Sequence, residues 1–266
     1  MAVVWLGGVW PPPVWWRDHW PRETAMMRAA AGAAGATVHP SALADVAPVL
    51  HRMVVIGEDS RFRTHHGIDP EEIADALGRD RTTGVWPTVA ALWRRRHELR
   101  GASTITQQLA KNLYLSGSRS PLRKVKEAVT ALRLELALPK DRILELYLAV
   151  VEWGPGVWGA EAASRTYFGV PASELDEVQA ATLAATLPQP LSANPRLRPE
   201  RLVARRDLIW ARYHGVAVAI PPEEEGDTVP SPVPEPPPAV DSSAGGGGPP
   251  RDTAPPDTLR ARPDSR

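Results

Sequence analysis

The sequence predicts a mainly α domain followed by a disordered C-terminal tail. Three observations carry this. No stretch alternates apolar and polar residues convincingly enough to read as a strand. Several runs instead repeat apolar residues at three- and four-residue spacing and open on side chains that cap helices. From Pro221 onward the composition collapses to Pro, Gly, Ser, Asp and Glu, including Gly245 to Gly248. Such a segment lacks the apolar area to offset its ordering entropy.

The chain is divided into a Trp-rich, membrane-proximal segment (1–20), a folded domain (21–215) and a tail (216–266). With 31 Lys and Arg against 31 Asp and Glu, the molecule has no global field for nucleic acid, so any anion site must be local. Cysteine is absent, which excludes disulfides, thiolate metal sites and a Cys nucleophile. Five of the ten Trp fall in the first twenty residues, around Pro11-Pro12-Pro13. The apolar run before these three prolines is only about ten residues long, too short for a spanning helix of roughly 20, which the prolines would interrupt. It reads either as an interfacial anchor or remnant of a longer membrane segment, or as an apolar flap on the domain.

Pro21 to Ala36 predicts a first helix with Glu23 in its first turn. Ala47 to Ile56 predicts a second, with Val46, Leu50, Met53 and Val54 on one side, delivering the chain to GEDSRFRTHHGID. Asp69-Pro70-Glu71-Glu72 starts another, acidic where the helix dipole favours it. Arg79 to Arg100 is basic and irregular, with Trp86 and Trp93 suited to a solvated loop or to anionic lipid headgroups.

The central pair of helices follows. Thr104 caps the first, Gln107 closes a capping box, and Ile105, Leu109 and Leu113 share an apolar face. Gln107 with Lys111, and Gln108 with Asn112, make its polar rows. After Ser116-Gly117-Ser118, Ser120-Pro121 opens the second, for which Leu122, Val125, Val129, Leu132 and Leu136 form the expected buried stripe. Arg123, Lys124 and Lys126 crowd its first turns, where cations oppose the macrodipole. That points to an anionic partner. Further helices are predicted from Pro139-Lys140-Asp141 through Trp153, up to Tyr167-Phe168 with a stop at Gly169, from Ser173 and Asp176 to Leu187, and over Leu202 to His214.

Two carboxylates stand out. Glu58 ends an apolar helix, where desolvation raises a carboxyl toward the range of a general base. Glu127 lies four residues after Arg123 and three after Lys124, on one face. Each alone is a commonplace helix feature. Their company is not: Ser103, Thr104, Gln107, Gln108 and Lys111 supply donors near helix N-termini, a cradle for phosphate or pyrophosphate. His65 and His66 are adjacent and point apart, so no metal site is expected from dedicated protein ligands. Two carboxylates around an anion cradle indicate glycosyl transfer or hydrolysis.

At these residues the chain resembles the glycosyltransferase family 51 domain, a peptidoglycan polymerase module, in its monofunctional form. The resemblance covers roughly Val38 to Leu202. It rests on Glu58, Asp59, Phe62, His65 and Gly67; on Gly101, Ser103, Thr104, Thr106, Gln107, Gln108, Lys111 and Asn112; on Arg123, Lys124, Glu127, Ala131 and Glu135; and on Lys140, Ile143, Leu144, Tyr147 and Leu148. The family's pattern departs at Ala149, where Asn is usual, and at Gly57, where Ala is common.

The resemblance implies a lysozyme-like bilobal glycosyltransferase fold with a membrane-embedded smaller lobe. It implies that lipid II and the nascent glycan chain are the substrates, with inversion and release of undecaprenyl pyrophosphate. Glu58 would be the base and Glu127 the second carboxylate. Asp59, Phe62, His65, Ser103, Thr104, Gln107, Gln108, Lys111, Asn112, Arg123 and Lys124 would form the substrate site. A divalent cation, Mg2+ or Mn2+, would sit at the diphosphate. The active domain would lie on the outer, periplasmic face of the cell inner (cytoplasmic) membrane, on the membrane surface and in the company of other cell-wall synthesis proteins. The competing expectations are a lysozyme-like glycan-cleaving enzyme, which needs no such cations, and a non-catalytic lipid II-binding scaffold.

Overall fold

A computed structural model describes residues 8–30, 37–71, 103–115 and 121–220 of the chain. The expectations for the tail, for Trp86 to Trp93, for Gly101 and for the Ser116 to Ser120 break lie outside these residues. The described chain is mainly helical. It runs through α1 (Ala25–Ala29), α2 (Pro48–Glu58), α3 (Ile105–Tyr114), α4 (Pro121–Ala137), α5 (Lys140–Val150), a hairpin of β1 (Glu152–Gly154) and β2 (Val157–Trp158), α6 (Ala160–Phe168), α7 (Glu177–Thr186) and α8 (Glu200–Tyr213). Short 3-10 turns cover Pro13–Arg17, Leu43–Asp45 and Ala172–Glu174.

Two helix groups share one core. In the first, α2 packs against α7 and α8. Leu50, Met53 and Val54 on α2, the small Ala180 and Ala184 on α7, and Ile209 on α8 are all fully buried. Alanines on α7 allow close approach of the neighbouring helices. Gly57 suits the same contact, because a Cβ there would sit 3.0 Å from Ile209 Cδ1. In the second group, α3 packs against α1, α4 and α5. Ile105 and Leu109 are fully buried on its apolar face, and Leu113 nearly so. Each fully buried aliphatic side chain of this kind stabilises by roughly 1.5–3 kcal/mol.

Capping matches expectation at α3. The Thr104 hydroxyl accepts from the Gln107 N–H at 3.1 Å, and the Gln107 carboxamide accepts from the Thr104 N–H at 3.1 Å. Elsewhere the structure corrects the sequence reading. The first helix is one short stretch capped by Thr24, whose hydroxyl accepts from Met27 N–H, rather than a run beginning at Pro21. The helix α7 is capped by Asp176, boxed with Gln179, while Ser173 lies in the preceding 3-10 turn. A two-stranded antiparallel hairpin stands where no strand was expected, pairing Glu152 with Trp158 and Gly154 with Val157. Five residues with Gly-Pro-Gly at the turn are too short for period-two alternation to show.

The largest correction concerns α4. The expected buried stripe faces outward: Leu122, Val125, Leu132 and Leu136 are exposed, Leu136 to 87%, and Val129 is half-buried. The inner face instead carries Glu127, Thr130, Ala131, Leu134 and Leu138. At 3.6 residues per turn the two sets lie on nearly opposite sides of the helix.

The N-terminal tryptophans divide. Trp16 is buried, its indole N–H donating to the Tyr114 hydroxyl at 2.6 Å. Trp20 is half-buried under the Arg142 guanidinium, 4.1 Å from the ring centre. Trp10 and Trp15 remain exposed.

The hairpin is joined to α6 through Gly159, at φ 83° and ψ 153°, where only glycine is comfortable. A Cβ there would lie 2.7 Å from the Ala149 carbonyl oxygen, which is backbone and cannot rotate away. Gly159→Ala is expected to destabilise by about 3 kcal/mol or more, from strain and overpacking together. Gly156→Ala, at φ 73° but with nothing within 4 Å, should cost only about 1–2 kcal/mol. Chemical denaturation of the two variants checks the difference, and equal losses would remove the steric account.

Candidate active site

Glu58 is the last residue of α2, and its side chain is only 8% exposed. Its Oε2 accepts from the Gln108 amide on α3 at 3.0 Å. Its Oε1 lies 3.4 Å from Nη2 of Arg205 on α8, a nitrogen that donates more closely, at 2.7 Å, to the Gly57 carbonyl. Burial pushes the Glu58 carboxyl above the ordinary carboxylate range. Arg205 and Gln108 oppose this without cancelling it, and the Asp59 charge adds to it. A carboxylate so placed is primed to take up a proton.

Asp59, the next residue, does different work. Its Oδ2 accepts from the Ile105 N–H at the start of α3 at 2.9 Å, and both its oxygens lie 2.9 Å from His65 Nε2. The Gly67 N–H donates to His65 Nδ1 at 3.2 Å, so Nε2 carries the proton that His65 gives to Asp59. Gly67, at φ 87°, in turn presents its carbonyl to the Thr104 hydroxyl at 2.7 Å. A Cβ on Gly67 would meet the Ala131 backbone at 3.1 Å, so the loop rests directly on α4. Phe62 is buried below, with His65 at its edge and the Lys140 ammonium 4.5 Å from its ring centre. Lys140 also donates to Glu135, which accepts from the Thr106 hydroxyl as well.

The cations gather on Glu127. Its buried carboxylate accepts from Arg123 Nη1 at 3.1 Å through one oxygen and is paired with the Lys124 ammonium through the other. Lys124 also donates to the Ser103 hydroxyl at 2.8 Å, while the Gln108 amide approaches the Ser103 carbonyl at 3.4 Å. Ser103 therefore joins the cation group on α4 to the Glu58 group on α2 and α3. Gln107 closes the α3 cap, and Asn112 donates to the Gln108 carbonyl at 2.9 Å, so both are spent inside the helix. Lys111 is half-buried on the same helix.

Three groups escaped the sequence reading. Arg205 had a signal, since it falls between Leu202 and Ile209 on the buried stripe of α8, where an arginine is out of place. Tyr147 stands among the residues of the resemblance, but nothing in the sequence gives its hydroxyl a partner; it donates to Gln108 Oε1 at 2.8 Å. Glu152 on β1 is pushed by burial to about 7, against the pull of the Gly156 N–H and the Lys111 charge.

Among the described residues one acidic and histidine cluster, Asp59, His65 and Asp69, brings its ligand atoms within 4.8 Å of one another. The donor set does not fit an ion. His65 Nε2 bears a proton, Asp59 accepts from His65 and Ile105, and Asp69 accepts from Arg61 Nε at 2.6 Å and from Glu71 N–H at 3.0 Å. This is a hydrogen-bonded latch. Glu127 fits a metal no better, with a cation on each oxygen.

A family profile described as transglycosylase matches residues 30–214. Proteins described as biosynthetic peptidoglycan transglycosylase are similar along much of the chain. That of Thiobacillus denitrificans is 40% identical over 230 residues, covering 83% of this chain and 93% of the relative. That of Alcanivorax borkumensis is 44% identical over 189 residues, 71% and 70% of the two chains. That of Bordetella pertussis is 49% identical over 145 residues, 54% and 57%.

The desolvation of Glu58 has a consequence for stability. A carboxyl whose folded-state pKa is raised favours the fold in its neutral form, so its penalty is absent at low pH and grows as pH rises through the folded value. Glu58→Gln, which stays neutral, should therefore gain stability relative to wild type as pH increases. Thermal melts of both proteins between about pH 4 and pH 8 check the sign; a gap that narrows with pH would show the carboxylate to be favourably held.

Proposed function

The chain belongs to the transglycosylase family and is a peptidoglycan glycosyltransferase, and from that premise we propose that it polymerises lipid II into β-1,4 glycan strands. Glu58 takes the proton from the 4-hydroxyl of the acceptor. That oxygen forms the new bond to the anomeric carbon of the growing chain on the face opposite the leaving group, so configuration inverts. The bond to undecaprenyl pyrophosphate breaks, and its electron pair leaves on the phosphate oxygen. Lys111, Arg123 and Lys124 meet that developing charge, where preorganised electrostatics lower a barrier most.

The observation that carries this reading is the cation pair held on buried Glu127 and joined through Ser103 to the Glu58 group. A glycan-cleaving enzyme releases no pyrophosphate and has no use for it. Glu127 orients the cations, Ser103 and Gln108 shape the wall around them, and Thr104, Gln107 and Asn112 hold the helix that carries it. Asp59, Phe62 and His65 support the site from beneath. Mg2+ or Mn2+ would enter on the diphosphate oxygens of the substrate; no step above depends on it.

We place the domain at the outer face of the cytoplasmic membrane, where the lipid substrate is. No helix among the described residues is long and apolar enough to cross a membrane. The exposed stripe of α4 supports a surface contact instead. Lys126 and Arg133 border it by helical spacing, and exposed Trp15 precedes Arg17, which bonds the Ala137 carbonyl at the end of α4. Apolar residues edged by cations suit anionic headgroups.

Incubation with lipid II and gel separation of the products tests the chemistry. Polymer is expected from wild type and none from Glu58→Gln, and Lys111→Ala and Arg123→Ala should each lose about 10²-fold in turnover with the fold intact. Unchanged turnover in both cation variants would end the leaving-group role, and shortening of pre-made glycan would establish cleavage. For the surface contact, Leu132→Glu with Leu136→Glu should abolish sedimentation with anionic vesicles while leaving thermal stability near wild type. Undiminished sedimentation would move the contact elsewhere.

A further inference from the structure

The Gln108 carboxamide is bonded at both ends, and the two bonds fix its direction. Tyr147, fully buried on α5, donates its hydroxyl to Oε1 at 2.8 Å; Nε2 is thereby turned to Glu58 Oε2 at 3.0 Å. A tyrosine hydroxyl in a core costs desolvation unless it is bonded, so a phenylalanine would have served for packing alone. Reversed, the amide would point its oxygen at the carboxylate, an arrangement tolerable only with Glu58 protonated. Tyr147 must itself stay a donor, and it does: burial, with the charges of Glu58 and Asp59, pushes its ionisation well above the ordinary tyrosine range.

We infer that Tyr147 is a positioning residue for the base, acting through Gln108 to hold Glu58 ionised and to leave Oε1 as the oxygen that receives the proton. The inference rests on the reading of Glu58 as that base. The groups facing Glu58 bear it out geometrically. Gln108 from α3 engages Oε2 well; Arg205 from α8 reaches Oε1 only at 3.4 Å, spending its closer bond on the Gly57 carbonyl; Asp59 is turned away into its latch with His65 and Ile105. The oxygen with the weaker partner keeps the more basic lone pair. In the step so assigned, the acceptor O–H bond breaks as Oε1–H forms, and the released oxygen pair makes the glycosidic bond.

The test compares full-length wild type, Tyr147→Phe and Gln108→Met. One readout is the pH profile of kcat/KM on lipid II. The other is the titration of the Glu58 carboxyl carbon by 13C NMR, assigned with Glu58→Gln. Loss of the Tyr147 hydroxyl should move the acid limb and the carboxyl titration together to higher pH, with plateau turnover within about threefold of wild type. Gln108→Met should move the titration in the same direction and decides the matter if Tyr147→Phe does not fold. A titration in these variants that coincides with wild type overturns the positioning role. Activity surviving in Glu58→Gln instead overturns the base assignment, and the carbon titration still reads the positioning by itself.

Discussion

The site depends on the bond between the Asp59 carboxylate and the Ile105 N–H. One residue past the end of α2 thereby caps the start of α3, a helix that begins 46 positions later in the chain. A carboxylate at a helix N-terminus is favoured by the orphan N–H groups and by the dipole. His65 holds the other side of the same carboxylate, and Gly67 links His65 to Thr104, the N-cap of α3. With the two helix ends latched, Glu58 and Gln108 are brought together as a matter of geometry. Replacing Asp59 by an apolar residue would leave the Ile105 N–H and the His65 N–H buried without acceptors, at roughly 1–3 kcal/mol for each.

Two glutamates then acquire opposite surroundings. Glu58 has one amide and one distant guanidinium to set against its burial, and its carboxyl is raised. Glu127, equally hidden, has a cation on each oxygen. A buried carboxylate bonded in this way is an anchor for its partners, since removing it would strand Arg123 and Lys124 beside a low-dielectric interior. Environment alone distinguishes the raised carboxyl from the cation holder. Nothing in the chemistry of glutamate does.

Much of this was legible in the sequence, for identifiable reasons. Capping leaves a local signature, so Thr104 with Gln107 could be read from spacing. The apolar faces of α2 and α3 are legible because their buried sides are the apolar sides. On α4 that equivalence fails. Its inner face carries Glu127 with its two cations, Thr130 bonded back to the Lys126 carbonyl, and Ala131 for the close approach of Gly67, and its best hydrophobic stripe is left outside. Periodicity locates a helix and its two faces but cannot say which one is covered. Arg205 and the Tyr147 hydroxyl were missed for a related cause: each sits on an apolar stripe, where its polar atoms matter only through partners distant in sequence.

On the function proposed above, the inversion of α4 would connect the chemistry to a lipid-linked substrate. Over 17 residues, about 25 Å of helix, one side presents Arg123, Lys124 and Glu127, and the far side presents leucines and valines to the exterior. A polyprenyl diphosphate has the same division, a charged head on a long apolar tail. The helix is only about 10 Å across, so a head held at the inner cations has its tail within a helix diameter of the apolar side. An apolar face left open would otherwise be a liability in a soluble protein. On the function proposed above it would follow from the same requirement as the cations at the helix start: a helix that grips a diphosphate inward has only its outer side left for the hydrocarbon.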